Sequence, residues 1–291
     1  VDPKHPYVLT KEEEDIMERL EQAFLHCEKL QRHMRFLLNK GSLYKVYNNN
    51  LLYHGCVPLK EDGALKPVRL FGRSYKGRSL YEVLESYVRK GFYALDEKEK
   101  ERGKDIMWYI WLHENSPLFG KDKMATFERY FLADKETHRE KKNPYYSMLQ
   151  DEKVVNRILA EFGLPPEGTH IINGHVPVKS KDGENPVKCQ GKVLVIDGGF
   201  SRAYQKETGI AGYTLIYNSY GLILAAHEPF ESTDAAIEKE SDIHSDSTIV
   251  KRVVQRKLVG DTDVGKELKE QIADLEVLLA AYRSGRIAER M

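Results

Sequence analysis

The chain has 291 residues, 41% hydrophobic and 31% charged, enough to bury a sizeable core in one large domain or two ordinary ones. Lys plus Arg and Asp plus Glu both number 45, so no net field draws the chain to nucleic acid or to an anionic membrane, and any anion site has to be a local cluster. Cys27, Cys56 and Cys189 form neither a metal spacing nor a disulfide framework, and apolar runs such as Gly221 to His227 fall far short of the roughly 20 residues of a membrane span. With no charged-then-apolar targeting segment at Val1, a cytoplasmic protein is expected. A start at Val1-Asp2-Pro3 without methionine hints at a piece of a longer protein, although processing would look the same.

The elements follow in chain order. Thr10-Lys11-Glu12-Glu13 has the form of a capped helix start, and Ile16, Leu20, Phe24, Leu30, Met34 and Leu37 recur near helical spacing as far as Gly41. Ser42 to Tyr53 changes to short β-type text with His54 at its end, and Pro58 to Gly72 is rich in turn residues. Helices are predicted over 79–90 and 97–112. Ser116 to Tyr146 is the least regular stretch, mixing Pro, Gly, lysines and aromatics. A helix over 151–162 stops at Gly163 and Pro165. HIINGH, KVLVIDGG, AGYTLIYNS and GLILAAHEPF then read as strands. Past Glu231 the text is polar until TIVKRVVQRKLV. It closes on an amphipathic helix whose Val264, Leu268, Ile272, Leu275, Leu279 and Tyr282 share one face, a stripe expected to serve packing or oligomer contact. Strands mixed with helices predict α/β or α+β architecture, and α/β is taken as the fold class.

Two phrases carry the chemistry. LLYHGCVPLK, Leu51 to Lys60, and IINGHVPVK, Ile171 to Lys179, each set a histidine beside a glycine where an apolar run ends, just before Val-Pro. A neutral imidazole is the commonest metal ligand, a strand end holds it on rigid backbone, and glycine permits a sharp turn and close approach of a second ligand. For a single His-Gly pair, capping of a strand by hydrogen bonding explains as much. The repetition favours His54 and His175 as partners in one site. His113 in WLHENS and His227 in AAHEPF lack the context and are read as structural.

With VLVIDGGFSRAYQKETGIAGYTLIYNS after them, the two phrases resemble the last two metal-binding motifs of the calcineurin-like metallophosphoesterases. SPLFGKDKMATFERYF and KNPYY narrow the resemblance to class III fructose-1,6-bisphosphatase, a bacterial gluconeogenic enzyme. The resemblance implies a mixed-sheet sandwich flanked by helices, with a C-terminal helical extension: residues 1–230 as part of the catalytic domain, an inserted substrate segment at about 113–146, and 231–291 as the extension. It implies that His54 and His175 bind the second metal of a dinuclear manganese centre that removes the 1-phosphate of fructose 1,6-bisphosphate. It also implies that the family's earlier motifs, which carry the bridging carboxylate and the catalytic residues, belong to an N-terminal portion not in this sequence. Asp242-Ile243-His244 and Gly260-Asp261-Thr262-Asp263 mimic them out of order and are taken as accidental. This chain alone is therefore expected to be inactive, with that portion as its natural partner and a homo-oligomer as its setting.

For the substrate phosphates, Lys121, Lys123 and Arg129, with Arg139, Lys141 and Lys142 beyond, supply cations, Arg129 having the geometry for a bidentate clamp. Ser201 and Arg202 occupy a strand-end loop like those of the histidines, and Tyr130, Tyr145 and Tyr146 could meet a sugar. Two other readings stay open: a protein Ser/Thr phosphatase relative with the same histidine phrases, and a non-catalytic interaction module built on a partial phosphatase fold.

Overall fold

The computed structural model describes residues 4–5, 7–197, 200–230, 232–238, 240, 245–253 and 255–288, the side chains of 202, 203 and 251 excepted. Asp242-Ile243-His244 lies outside the described residues. The chain divides into two compact units, Val1–Ser42 and Leu43–Met291.

The first unit is two helices, α1 (Lys11–Leu25) and α2 (Glu28–Lys40), where periodicity predicts one. Thr10 caps α1 in a complete capping box with Glu13. The break falls at Cys27, which is extended (φ −75°, ψ 99°). The apolar spacing records it: Phe24 to Leu30 is a step of six, about 240° around a helix, so the stripe changes phase where the helix ends.

The second unit keeps the predicted elements in order and adds others between them: β1 (Tyr44–Tyr47), β2 (Asn50–Tyr53), β3 (Val68–Leu70), β4 (Arg73–Tyr75), α3 (Gly77–Tyr93), α4 (Glu97–Leu112), α5 (Thr126–Phe131), α6 (Glu152–Glu161), β5 (His170–Asn173), β6 (Val187–Lys188), β7 (Val193–Val195), α7 (Arg202–Thr208), β8 (Gly212–Asn218), β9 (Gly221–His227), α8 (Thr233–Glu238), β10 (Ser245–Arg252) and α9 (Asp263–Arg283); the short β3, β4, α5, β6, α7 and α8, and β10, lack a sequence pattern that announces them. A five-stranded mixed sheet runs β1-β2-β5-β7-β6, and a three-stranded antiparallel sheet runs β10-β9-β8. The fold is α/β, a mixed sheet flanked by helices with a helix at the C-terminal end.

In the larger sheet β2, β5 and β7 are parallel neighbours. All four residues of β5 are buried, as a central strand covered on both faces requires. Successive side chains point to opposite faces. Ile171 therefore joins Tyr81, Val155, Ile158 and Leu159 of α3 and α6 in the main core, whereas Ile172 packs with Leu194 and Leu222. The residues after 230 join the same unit: β10 pairs with β9 from Ser245↔His227 to Arg252↔Gly221, and Asp263 at the start of α9 accepts from the Asn48 backbone at 2.7 Å. Asp261 and Asp263 thus serve a turn and a helix start. The apolar stripe of α9, Val264 to Tyr282, stays between 40% and 62% exposed, so it is not packed within this chain. Among the described residues no helix is long and apolar enough to cross a membrane.

Candidate active site

Parallel pairing brings the two histidine phrases together. With Leu52 level with Ile172 and Ile172 level with Leu194, the carboxyl ends of β2, β5 and β7 finish side by side, and the residues just beyond them are His54, Gly174-His175 and Asp197. The carboxyl edge of parallel strands is where open α/β sheets place ligands, because the connecting loops diverge there. The junction is stitched by backbone: Gly174 N donates to His54 O at 2.8 Å, Asn173 Nδ2 to Gly55 O at 3.0 Å, and Val178 N to Asp197 O at 2.7 Å.

His54 Nε2 and His175 Nδ1 lie 3.0 Å apart, one donating and the other accepting, with ring centroids at 4.9 Å. His175 Nε2 is buried, and among the described residues no partner meets hydrogen-bond geometry. Burial first, then the positive charge that His54 takes up on protonation and the Lys121 ammonium, hold the His175 imidazole down at about 4; the Phe119 backbone and Asp197 only partly offset them. The His54 ring, crowded on one side though open to solvent on the other, is also shifted down, chiefly by loss of hydration and against the pull of Asp197. Both rings are thereby kept in the neutral form in which imidazole binds a metal.

The two rings arrive there by different backbones. His175 has φ +68°, and Val176 N donates to Gly174 O at 2.9 Å, closing a γ-turn centred on the histidine. This left-handed conformation is strained for a residue with a Cβ, and such strain gathers at functional sites. His54 needs none of it. There the sharp approach falls to Gly55, where a Cβ would stand 2.5 Å from the Pro117 carbonyl oxygen.

Metal-ligand bonds of about 2.1 Å at right angles span about 3.0 Å between donor atoms, so the nitrogen separation equals one edge of a coordination shell; a cation there would replace the N–H···N bond, with the donating ring taking its other tautomer. The pair does not complete a shell: among the described residues no group of three or more His, Cys, Asp or Glu could hold an ion. Asp197, close enough to act on both rings, escapes the sequence reading, although its position after the apolar run VLVI repeats the pattern of the histidines.

His175 also lines a cavity of about 430 Å³, with Lys121, Lys142, Lys179, Lys188, Glu184 and Tyr146 among its walls. Of the predicted phosphate contacts, Lys121 reaches this cavity while its ammonium donates to Glu140 at 2.9 Å. Lys123 donates instead to the Thr137 carbonyl at 2.6 Å, and Arg129 lies 3.5 Å from Glu140; neither lines the cavity. Ser201 is exposed at the start of α7 and is also outside the lining, although Tyr204, Glu207 and Thr208 of that helix belong to it. The Arg202 side chain lies outside the described residues. Tyr145 is fully buried with its hydroxyl 2.7 Å from that of Tyr53, a core residue where a sugar contact was expected, whereas Tyr146 does face the cavity. His113 caps α4 and stacks on Tyr109, and His227 bridges Thr214 and Ser245, so both are structural.

A family model described as Firmicute fructose-1,6-bisphosphatase matches residues 1–284. The chain is 58% identical over its whole length to a fructose-1,6-bisphosphatase class 3 of Clostridium novyi (strain NT), and 56% identical to those of Clostridium tetani (strain Massachusetts / E88) and Alkaliphilus metalliredigens (strain QYMF). All of this chain is covered in each case, but it spans only 44% of the length of each relative. No solved structure matches.

Proposed function

Since the chain belongs to the Firmicute fructose-1,6-bisphosphatase family, we propose that it is the C-terminal portion of a metal-dependent enzyme that hydrolyses the 1-phosphate of fructose 1,6-bisphosphate to give fructose 6-phosphate, a gluconeogenic step in the cytoplasm. The observation that carries this reading is the meeting of two neutral imidazoles, 3.0 Å apart, one of them lining a cavity that also carries four lysines. His54 and His175 would hold one divalent cation of a dinuclear pair, manganese by family resemblance, whose remaining ligands come from the N-terminal portion. When bound, such a cation supplies Lewis-acid polarisation of a phosphoryl oxygen and activation of water.

This chain's own contribution is preparation. Burial keeps both rings unprotonated, the γ-turn aims the His175 imidazole at His54, and the Gly174 N–H tethers the second phrase to the first. Lys121 stands close enough to depress the His175 pKa, so its charge also acts on a phosphoryl group placed beside His175 in the cavity. Ser201 and Arg202 remain candidates for a phosphate that enters from the α7 side. Two ligands make an incomplete site, so the 291-residue chain by itself should release no phosphate from fructose 1,6-bisphosphate with saturating manganese. Manganese titration of the chain and of its His175→Ala variant tests the ligand role: weak binding lost in the variant supports it, and equal binding by both rejects it. Turnover by the chain alone would show that the remaining ligands are not needed.

A further inference from the structure

The cavity beside His175 has an excess of cations that the metal reading does not use. Its walls carry Lys121, Lys142, Lys179 and Lys188 against two carboxylates, Glu184 and Glu207. Two of the lysines are engaged: Lys188 pairs with Glu184 at 2.7 Å, and Lys121 with Glu140 at 2.9 Å. The ammonium groups of Lys142 and Lys179 make no ion pair or hydrogen bond among the described residues. With Glu140, which neutralises Lys121 from just outside the lining, four ammonium groups face three carboxylates, an excess of one positive charge that favours an anion such as a phosphate monoester.

Backbone, not chance exposure, puts these cations together. Lys121 and Lys142 face each other as an isolated antiparallel bridge, and Asn143 N donates to Gly120 O at 2.9 Å beside it. The buried Asn143 side chain accepts from Leu59 N at 3.1 Å and from Tyr145 N at 3.0 Å, pinning the loop to the exit of the first histidine phrase. Lys179 closes the second phrase, one residue after Val178, whose N–H is fixed to Asp197 O at 2.7 Å. The crowding has a cost in the free protein: the Lys142 pKa is lowered, by loss of hydration first and then by the charges of Lys121 and Lys179. Bringing like charges into a concave wall is unfavourable unless an anion completes it.

We infer that Lys142 and Lys179 grip the phosphate of the sugar that is not cleaved, so that the cavity selects a doubly phosphorylated hexose with its other phosphate at the His54–His175 edge. This rests on the phosphatase reading for the identity of the ligand, but the grip itself needs no metal. It therefore predicts binding of the product, fructose 6-phosphate, by the metal-free chain.

The test is NMR or calorimetric titration of the 291-residue chain, freed of metal by chelation, with fructose 6-phosphate and with fructose as the uncharged control. Fructose 6-phosphate should bind and fructose should not. Lys142→Gln and Lys179→Gln should each weaken binding by about 10-fold or more, the usual worth of a charge-assisted hydrogen bond. Lys123→Gln should leave it unchanged, since Lys123 is already committed to Thr137. Both lysines of the grip are solvent-accessible, so the variants should fold, as circular dichroism will check. Absence of fructose 6-phosphate binding, or binding untouched by both Lys142→Gln and Lys179→Gln, overturns the grip, whatever the manganese titration shows. Conversely, if manganese binding does not depend on His175 while the lysine variants lose the sugar phosphate, the metal reading fails and the grip stands.

Discussion

The two histidine phrases read alike and are built in opposite ways. In the first, glycine follows histidine, and Gly55 absorbs the close approach of the Pro117 carbonyl, leaving His54 in a bend with no positive φ. In the second, glycine precedes histidine. A Cβ at Gly174 would lie 3.3 Å from the Asp197 Cβ and 3.7 Å from the His54 carbonyl oxygen, a milder contact than at Gly55, and His175 itself takes the left-handed turn. The difference teaches that the order of two residues decides which one bears strain. In the second phrase the strained residue is the one proposed to do chemistry, a state that only its surroundings maintain.

The largest effect expected on this comparison is loss of the ligands. In the assembled enzyme His54→Ala and His175→Ala should each lower manganese content and kcat/KM together by more than about 100-fold, because even residues that merely orient a metal ligand are worth 10- to 100-fold. Metal analysis beside kinetics checks this. Retained metal in one variant would make the two phrases unequal in role as well as in backbone.

Next comes the glycine order. Gly55→Ala forces a methyl group against a backbone oxygen and should cost about 1–3 kcal/mol or more, whereas Gly174→Ala, whose nearest contact is the Asp197 Cβ at 3.3 Å, needs a shift of only a few tenths of an ångström and should cost less than Gly55→Ala. Denaturant melts of the two variants measure the gap. Equal costs would mean the Pro117 loop moves freely.

The backbone strain can be isolated by a pair of glycine substitutions. His54→Gly and His175→Gly lose the same imidazole–imidazole hydrogen bond, but only the second relieves a positive φ. Freeing a left-handed residue is worth roughly 1–2 kcal/mol, whereas glycine at His54, where φ is not positive, relieves nothing and adds only chain freedom to the unfolded state, so the metal-free His175→Gly chain should be the more stable of the two. The reverse order, read from melting temperatures, would show that the γ-turn stores no strain.

A pH titration compares the rings directly. The folded pKa of His175, about 4, lies below the ordinary 6.5, so the unfolded chain binds more protons between them. Its contribution to stability is fully present above pH ~6.5 and is lost progressively as pH falls towards ~4. Imidazole NMR shifts of the metal-free chain should show His175 unprotonated at pH 5, and a midpoint near 6.5 would contradict the burial argument. The smallest effect is expected at Arg129. Held by Glu140 and more than half exposed, it should tolerate Arg129→Ala with a loss of at most about 1 kcal/mol in stability and little change in KM. A large rise in KM would return it to the phosphate site.

Local text made much of this legible. The helices at 79–90, 97–112 and 151–162 and the strands ending in His54 and His175 could be read because apolar spacing and stop residues act within a few residues of chain. Charge partners could not. Lys123 and Arg129 read as free cations, but Thr137 and Glu140, brought round by the folding of their own loop, had the shorter reach. Lys179 stood within the quoted phrase, yet nothing nearby marked it as facing Lys142, because the two are joined only through the loop pinned by Asn143 and the strand end beside Asp197.

By itself the sequence determined the strands that lead into the two histidine phrases and that glycine stands beside each histidine, since these depend on side-chain pattern and backbone preference alone; β3, β4, β6 and β10 escaped it. The parallel register of β2, β5 and β7 decided the rest. Register is a property of three strands at once, and it places His54, His175 and Asp197 at one edge, where burial holds the imidazoles neutral, while the loop pinned by Asn143 brings Lys121 and Lys142 to the same cavity.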